Sequence, residues 1–200
     1  MKMKSFSLVV AASLLGWSLG NASVTGVPDW GYSGGIYCYA PIWDSTGNIA
    51  IDGYQTGPGE MGGTITTSDA EDPTLTIANT IDNDSTFVWT EYIVNVSMNT
   101  SFSILSAAAT APPSWTANIT QPGLPVAGIY TGTIDYLAGT PVAIAPDPNS
   151  ELDFSYQVHF SGATEYSLTE SVIPVPEPGT LGLLMVGGLL LGGRAMARRR

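Results

Sequence analysis

The sequence predicts an all-β fold, an antiparallel β-sandwich or jelly roll, on three observations. Apolar and polar residues alternate with a period of two in many short runs between residues 23 and 173. Stretches rich in Gly, Pro, Asn and Ser separate these runs, as turns separate strands. Only 12% of the 200 residues are charged, while Gly (23) and Pro (14) are frequent, a composition that disfavours long helices. A domain of about 150 residues can bury a core without disulfides, which a single cysteine cannot form within one chain.

The clearest strand is expected at 152–160, where five apolar residues alternate with polar ones. After a turn at 161–162 the alternation resumes at 166–172, and these two strands are expected to pair as a hairpin. Turn-forming residues dominate 55–62, 111–114 and 145–150, and a short helix is an alternative at 106–111. Further strands are expected at 36–43, 48–54, 63–68, 74–78, 87–98, 102–105, 115–121 and 129–137.

Charges are segregated along the chain. The 17 acidic residues all lie in the middle, and the formal net charge is −11. An acidic domain argues against a nucleic-acid partner, which needs a basic surface. The six basic residues all lie near the termini: Lys2, Lys4, Arg194, Arg198, Arg199 and Arg200.

The N-terminal segment 1–22 has the order of a secretory signal peptide: lysines, an uncharged run over 6–19, then small residues. Cleavage is expected between Ala22 and Ser23, with cleavage after Gly20 as an alternative. The Sec translocon and signal peptidase are then expected partners, and residues 23–173 form a domain exported across the inner membrane. A retained N-terminal anchor is the other interpretation.

The C-terminal segment has the features of a membrane anchor. An uncharged apolar run over 179–193 is expected to be a transmembrane helix, and the following arginines are expected to stay in the cytoplasm. Counted from Pro178, a helix of this length is about 24 Å long. Because the hydrocarbon core is roughly 30 Å thick, snorkelling arginines or local thinning would be needed. An ordinary tail anchor is the alternative to the interpretation that follows.

Pro176, Glu177 and Pro178, followed by the apolar run and the terminal arginines, resemble the PEP-CTERM sorting signal. The resemblance covers 174–200 and implies recognition by exosortase, a membrane-embedded transpeptidase-like enzyme, with Pro-Glu-Pro as the recognition motif. The two prolines would hold this motif extended. The resemblance also implies a bacterium that makes exopolysaccharide and biofilm matrix. The processed protein is then expected at the cell surface or outside the cell.

Few residues of the central domain favour catalysis. His159, the single histidine, lies on the polar face of a predicted strand, and Cys38 lies between tyrosines in an apolar strand. No Lys or Arg occurs between 23 and 193, so the domain cannot hold phosphate or carboxylate with a bidentate cation. We therefore predict no catalytic residue and no enzymatic activity. A carboxylate-based glycoside hydrolase is the less favoured alternative.

Two acidic segments are weak calcium candidates, and no other cofactor is expected. Each segment supplies oxygen ligands at alternate positions, but neither has the glycine that an EF-hand loop carries at its sixth position. Solvated turn acids are the alternative interpretation. The candidate ligands are Asp82, Asp84, Asp147, Asn149 and Glu151.

Aromatic residues cluster between positions 30 and 54, where exposed rings could stack on sugars and buried ones would pack the sheet. Two functions remain open on these observations. The first is a non-enzymatic surface or matrix protein associated with exopolysaccharide, and the alternative is a surface-anchored carbohydrate-binding module. The clustered residues are Trp30, Tyr32, Tyr37, Tyr39, Trp43 and Tyr54.

Overall fold

A computed structural model describes residues 23–68, 74–139, 144–145, 147–160 and 163–176. These residues contain eleven β-strands and no helix, which confirms the all-β class. Nothing helical in these ranges is long and apolar enough to cross a membrane. The expected signal helix and the expected transmembrane helix both lie outside the described residues.

The eleven strands form one sheet that nearly closes on itself, a barrel-like arrangement. The sandwich or jelly-roll topology stays a prediction. The strands are β1 (Val24–Gly26), β2 (Gly31–Cys38), β3 (Ile42–Trp43), β4 (Asn48–Thr67), β5 (Thr74–Asn83), β6 (Trp89–Met98), β7 (Phe102–Ala111), β8 (Thr116–Thr120), β9 (Tyr130–Leu137), β10 (Asp147–Phe160) and β11 (Glu165–Pro176). Neighbours follow the order β7-β10-β5-β4-β11-β6-β9-β8, while β1, β2 and β3 pair with β4. The pairs are antiparallel except for β4 with β5.

The 20-residue strand β4 organises the sheet. Its first part, 48–55, pairs with β5, and its second part, 59–66, pairs with β11. Strand β2 pairs with both parts. Since a strand has only two hydrogen-bonding edges, β5 and β11 share one edge of β4 and diverge between the two parts.

The expectation of a turn at 55–62 is wrong, because these residues are the middle of β4. Glycines explain the difference. A Cβ atom on Gly35 would lie 2.7 Å from the backbone of Gly57, so the β2 and β4 backbones approach more closely than side chains would allow. A Gly-rich stretch therefore marks a close strand contact here instead of a turn.

The side chain of Gln121 joins the two ends of the sheet. Its Oε1 accepts a hydrogen bond from the backbone N–H of Ile104 at 2.9 Å, and its Nε2 donates to Ile104 O at 2.6 Å. The amide thereby replaces a backbone partner for β7 at the end of β8. This pair of hydrogen bonds links two strands that the sheet order leaves at opposite ends.

The inward faces agree with the alternation in the sequence. All five apolar residues of the 152–160 pattern are buried. One of them, Phe154, packs against aromatic rings from two other strands. Its ring centroid lies 5.3 Å from that of Tyr92 and 4.9 Å from that of Tyr136. Tyr166, Leu168 and Val172 of β11 are buried against the same core.

Three other expectations about the sheet are wrong. Most of the turn expected at 145–150 is strand, because β10 begins at Asp147. The strands at 152–160 and 166–172 do not form a hairpin: β10 pairs with β5 and β7, whereas β11 pairs with β4 and β6. The stretch 106–111 is not a helix but the second half of β7, where Ala107, Ala108 and Ala109 pair with β10. Alanine is compatible with either structure, and the neighbouring strand decides the outcome.

Candidate functional site

Four tyrosines on the outer face of β2, β4 and the residue after β2 form a contiguous row of rings, which we call the tyrosine strip (Tyr32, Tyr37, Tyr39 and Tyr54). The rings of Tyr37 and Tyr54 are stacked, with centroids 4.9 Å apart and planes 14° apart. Tyr37 also contacts Tyr32 at 4.7 Å and Tyr39 at 5.5 Å. The strip is therefore a single aromatic surface centred on Tyr37.

The period of two along β2 explains why these rings point outward. Ile36 and Cys38 are buried, so Tyr37 between them and Tyr39 beyond them face the other way. The pairing register places Tyr37 opposite Tyr54 on β4. Cross-strand aromatic pairs of this kind stabilise a sheet by about 0.2–1 kcal/mol.

The ring of Tyr32 reaches that of Tyr37 across an irregularity in the pairing of β2 with β4. The register between β2 and β4 shifts between Gly34 and Ile36, and Gly34 has φ = 74°. Glycine adopts this left-handed conformation without strain. The irregularity at Gly34 therefore lies between the two segments of β2 that carry the rings of the strip.

The strip is open to solvent. Tyr32 is 47% exposed and Tyr39 is 54% exposed. Two open depressions border Tyr32: one of about 260 Å³, also lined by Tyr37 and Tyr54, and one of about 240 Å³, also lined by Glu60. Tyrosine offers an apolar ring face and a hydroxyl in one side chain, which suits a ligand with both apolar and hydroxylated surfaces.

Carboxylates flank the strip at both ends. Asp52 is exposed on β4 opposite Tyr39, whose N–H donates to Asp52 O at 2.9 Å. Glu60 is exposed at the other end, where it lines the second depression beside Tyr32. No Lys or Arg occurs anywhere between residues 23 and 193. The two exposed acids at the strip therefore have no Lys or Arg of this domain to offset their charge.

The two tryptophans of the predicted aromatic cluster lie elsewhere. Trp30 is half-buried and packs against the core, with its indole N–H buried and without a hydrogen-bond partner. Trp43 is 41% exposed on β3, next to the exposed Ile42. Four of the six predicted residues thus come together, and the sequence did not distinguish them from the other two.

A buried carboxyl group lies in the interior, a feature that sequence reasoning missed. Glu170 on β11 is fully buried, and Asn79 Nδ2 donates to its Oε2 at 3.1 Å. The Tyr156 hydroxyl favours the ionised form of this carboxyl group and lowers its pKa, although neither Glu170 Oε1 nor Tyr156 Oη has a partner within hydrogen-bonding geometry. Burial raises the pKa of Glu170 to about 8. Its position on the apolar face of the 166–172 pattern is the signal that could have found it.

The residues considered for nucleophilic catalysis are not brought together. The Nδ1 of His159 lies 3.1 Å from the hydroxyl of Thr74 on β5. Cys38 lies on β2, where its Sγ contacts the Sδ of Met61 at 3.3 Å and burial raises the pKa of the thiol to about 12. A thiol with so high a pKa is a poor nucleophile at neutral pH. The absence of catalytic residues stays a prediction.

The two calcium candidate segments lie side by side. Strand pairing places Glu151 opposite Asp82, and Asp147 opposite Asn83. The side chains of Asp147 and Asn149 are outside the described residues, and Asp84 lies in the turn after β5. Among the side chains that are described, no group of three or more His, Cys, Asp or Glu could hold a metal ion. Calcium binding therefore stays a weak prediction.

The sorting motif begins inside the sheet. Strand β11 continues to Pro176, the first residue of the Pro-Glu-Pro motif, which pairs with Trp89 on β6. Val172 O accepts a hydrogen bond from Gln55 of β4, so backbone groups two residues further on also point away from β6. The missing N–H of Pro174 thus costs no hydrogen bond to β6.

The other predicted residues at the chain ends lie outside the described residues: Ala22 of the cleavage site, Glu177 and Pro178 of the motif, and the basic cluster Arg194, Arg198, Arg199 and Arg200. Ser23 is the first described residue, and its N–H donates to the Ser68 hydroxyl at 3.1 Å. The mature N-terminus that we predict thus lies next to the end of β4.

Comparison with known proteins agrees with the interpretation of the C-terminal segment. Residues 174–200 match the family model described as the PEP-CTERM protein-sorting motif. No curated protein and no solved structure matches the chain. The chain therefore carries a PEP-CTERM protein-sorting motif, which supports an exported surface protein targeted to exosortase, while the family of its β-rich domain is unidentified.

Proposed function

We propose that this protein is a non-enzymatic surface or matrix protein that associates with exopolysaccharide. The observation that carries the proposal is the sorting motif at 174–200, attached directly to a folded β-domain. Support for a non-enzymatic role comes from the separation of His159 and Cys38 and from the absence of Lys and Arg between 23 and 193. The exported, processed domain would then act through its surface.

Processing is tested by mass spectrometry of the protein isolated from its host, with and without the Glu177→Ala substitution. We expect the native protein to lose its tail near 176–178, and the variant to remain full-length in the membrane fraction. Glu165→Ala is the matched control, because Glu165 is an exposed acid on β11 that lies outside the motif. Full-length native protein in the cytosol would contradict the proposal.

A second candidate function, a surface-anchored carbohydrate-binding module, is favoured by the tyrosine strip. Three features support it: contiguous ring contacts, exposure of Tyr32 and Tyr39, and two depressions beside Tyr32. Sugar rings present apolar C–H faces and hydroxyl rims, and tyrosine complements both. This candidate and the first are compatible, because the strip would be the part of a matrix protein that contacts polysaccharide.

Binding to polysaccharide is tested with purified protein on a glycan array and by titration calorimetry. Tyr39→Ala removes a half-exposed ring and is expected to weaken binding about tenfold, which corresponds to about 1.4 kcal/mol. Leu105→Ala is the matched control, since Leu105 is 54% exposed, like Tyr39, but lies on β7. Equal loss in both variants, or no binding to any glycan, would contradict the module.

Activity is tested on the same polysaccharides by measuring new reducing ends. We expect none above background during prolonged incubation. Sustained release of reducing ends would overturn the non-enzymatic proposal and favour the carboxylate-based hydrolase.

A further inference from the structure

We infer that the tyrosine strip binds a cationic glycan, a hexosamine polymer with free amino groups, in preference to a neutral or acidic one. This inference rests on the proposal that the strip binds glycan, and it names the class of glycan. It is carried by the shape of the strip and by the charges placed around it.

The strip has the form of a platform for a chain of sugar rings. Tyr39, Tyr37 and Tyr32 follow one another with centroid distances of 5.5 and 4.7 Å, and Tyr54 widens the platform beside Tyr37. The row is thus up to about 10 Å long, enough for more than one ring. An extended polymer would lie along β2 and contact these faces in sequence.

The edge of β2 that does not pair with β4 is available to the same ligand. In the described part of the chain β2 pairs with β4 alone, so backbone N–H and C=O groups along its other edge face away from the sheet. Sugar hydroxyl groups can both donate to and accept from such groups. The strip therefore offers ring faces and hydrogen-bonding groups side by side.

Charge decides between classes of glycan. The strip ends at Asp52 beside Tyr39 and at Glu60 beside Tyr32, and both carboxylates are exposed. Charges within about 8 Å interact effectively at physiological salt, so these two acids matter most to a ligand on the strip. They repel uronate, sulfate or phosphate groups, and no Lys or Arg between 23 and 193 offsets the repulsion.

A protonated amine fits both parts of the site. Ammonium groups are attracted to carboxylates, and they also bind to the faces of tyrosine rings. A neutral glycan would stack on the rings but leave the two carboxylates without a role. A hexosamine polymer with free amines uses the rings and the carboxylates together.

The experiment compares three oligosaccharides of equal length: a glucosamine oligomer, its fully N-acetylated counterpart, and a uronic-acid oligomer. Binding to the purified, processed protein is measured by titration calorimetry at low and at physiological salt. We expect the glucosamine oligomer to bind at least tenfold more tightly than the acetylated one at low salt, with the difference narrowing as salt is added. The uronic-acid oligomer is expected not to bind.

Variants separate the strip from general attraction to an acidic protein. The double variant Asp52→Asn, Glu60→Gln should bind the two hexosamine oligomers almost equally, while Tyr37→Ala should weaken both. Glu165→Gln is the matched control, an exposed acid outside the strip that should leave the preference unchanged. A melting temperature close to that of the native protein will show that each variant folds.

The outcomes distinguish the inference from the proposed function. Equal binding of the free and acetylated oligomers would overturn the cationic class but leave a carbohydrate-binding module. Binding that is insensitive to both the acidic and the tyrosine substitutions would overturn the site. No binding of either hexosamine oligomer or of any other glycan would overturn both the inference and the module.

Discussion

Replacing Glu170 with glutamine should change how stability depends on pH. The carboxyl group is fully buried, and desolvation raises its pKa from 4.5 to about 8, although Asn79 and Tyr156 counteract part of the effect. Between these pH values the unfolded chain is ionised at this position while the folded protein keeps the proton. Unfolding then releases a proton, so stability falls as pH rises.

The magnitude follows from the same two values. The free energy of unfolding falls by about 1.4 kcal/mol per pH unit between pH 4.5 and pH 8, or by about 5 kcal/mol in total. Below pH 4.5 both states are protonated, and the effect is absent. The neighbouring tyrosines do not contribute in this range, because burial raises the pKa of Tyr92, Tyr136 and Tyr156 well above 10. The glutamine side chain of the Glu170→Gln variant cannot ionise, so this variant does not lose stability in this way as pH rises.

Urea unfolding followed by tryptophan fluorescence, repeated from pH 4 to pH 9, measures the difference between the native protein and the variant. We expect the free energy of unfolding of Glu170→Gln to exceed that of the native protein by an amount that grows with pH and levels off above pH 8. Glu165→Gln, an exposed acid on the same strand, should follow the native curve in this interval. A difference between the native protein and Glu170→Gln that stays constant across the interval would refute the reasoning.

Three further predictions concern the sheet and its thiol. Gln121→Ala leaves the backbone N–H and C=O of Ile104 without their partner, and should lower the free energy of unfolding in urea by about 1–3 kcal/mol. Hydrogen exchange at the Ile104 amide should become faster. If neither value changes, the Gln121 side chain does not hold the two ends of the sheet together. In Gly53→Ala the new Cβ meets the carbonyl oxygen of Tyr37, so the variant should lose about 1–3 kcal/mol and bind glycan more weakly; native-like stability and binding would show that β2 adjusts. Cys38, whose thiol has a pKa of about 12, should resist thiol reagents at pH 8 until the protein is unfolded; rapid labelling of the native protein would contradict its burial.

The positions and inward faces of most strands could be predicted, because alternation is a local property of the chain. The pattern at 152–160 identified the buried residues of β10, and that at 166–172 identified those of β11. Their mutual pairing was predicted wrongly. Any strand offers the same backbone donors and acceptors to any other, so short sequence separation favours a hairpin without requiring it. In the folded protein β10 instead pairs with β5, and β11 pairs with β6.

The candidate site was only partly predictable for a related reason. The sequence showed six aromatic residues in 25 positions, but not which of them would point outward together. That depends on the ring contact between Tyr32 and Tyr37 across the irregularity at Gly34, and on β4, which supplies Tyr54. The flanking acids Asp52 and Glu60 could not be assigned to the strip until the register was known.

The sequence by itself determined the fold class, the inward faces of strands such as β10, and the sorting motif at 174–200. Each of these is read from residues close together in the chain. Only the tertiary structure decided the strand order, the tyrosine strip, the enclosed carboxyl group of Glu170 and the pairing of Pro176 within the sheet. These features join residues far apart in sequence, and their energies depend on burial and register, which exist only once the chain has folded.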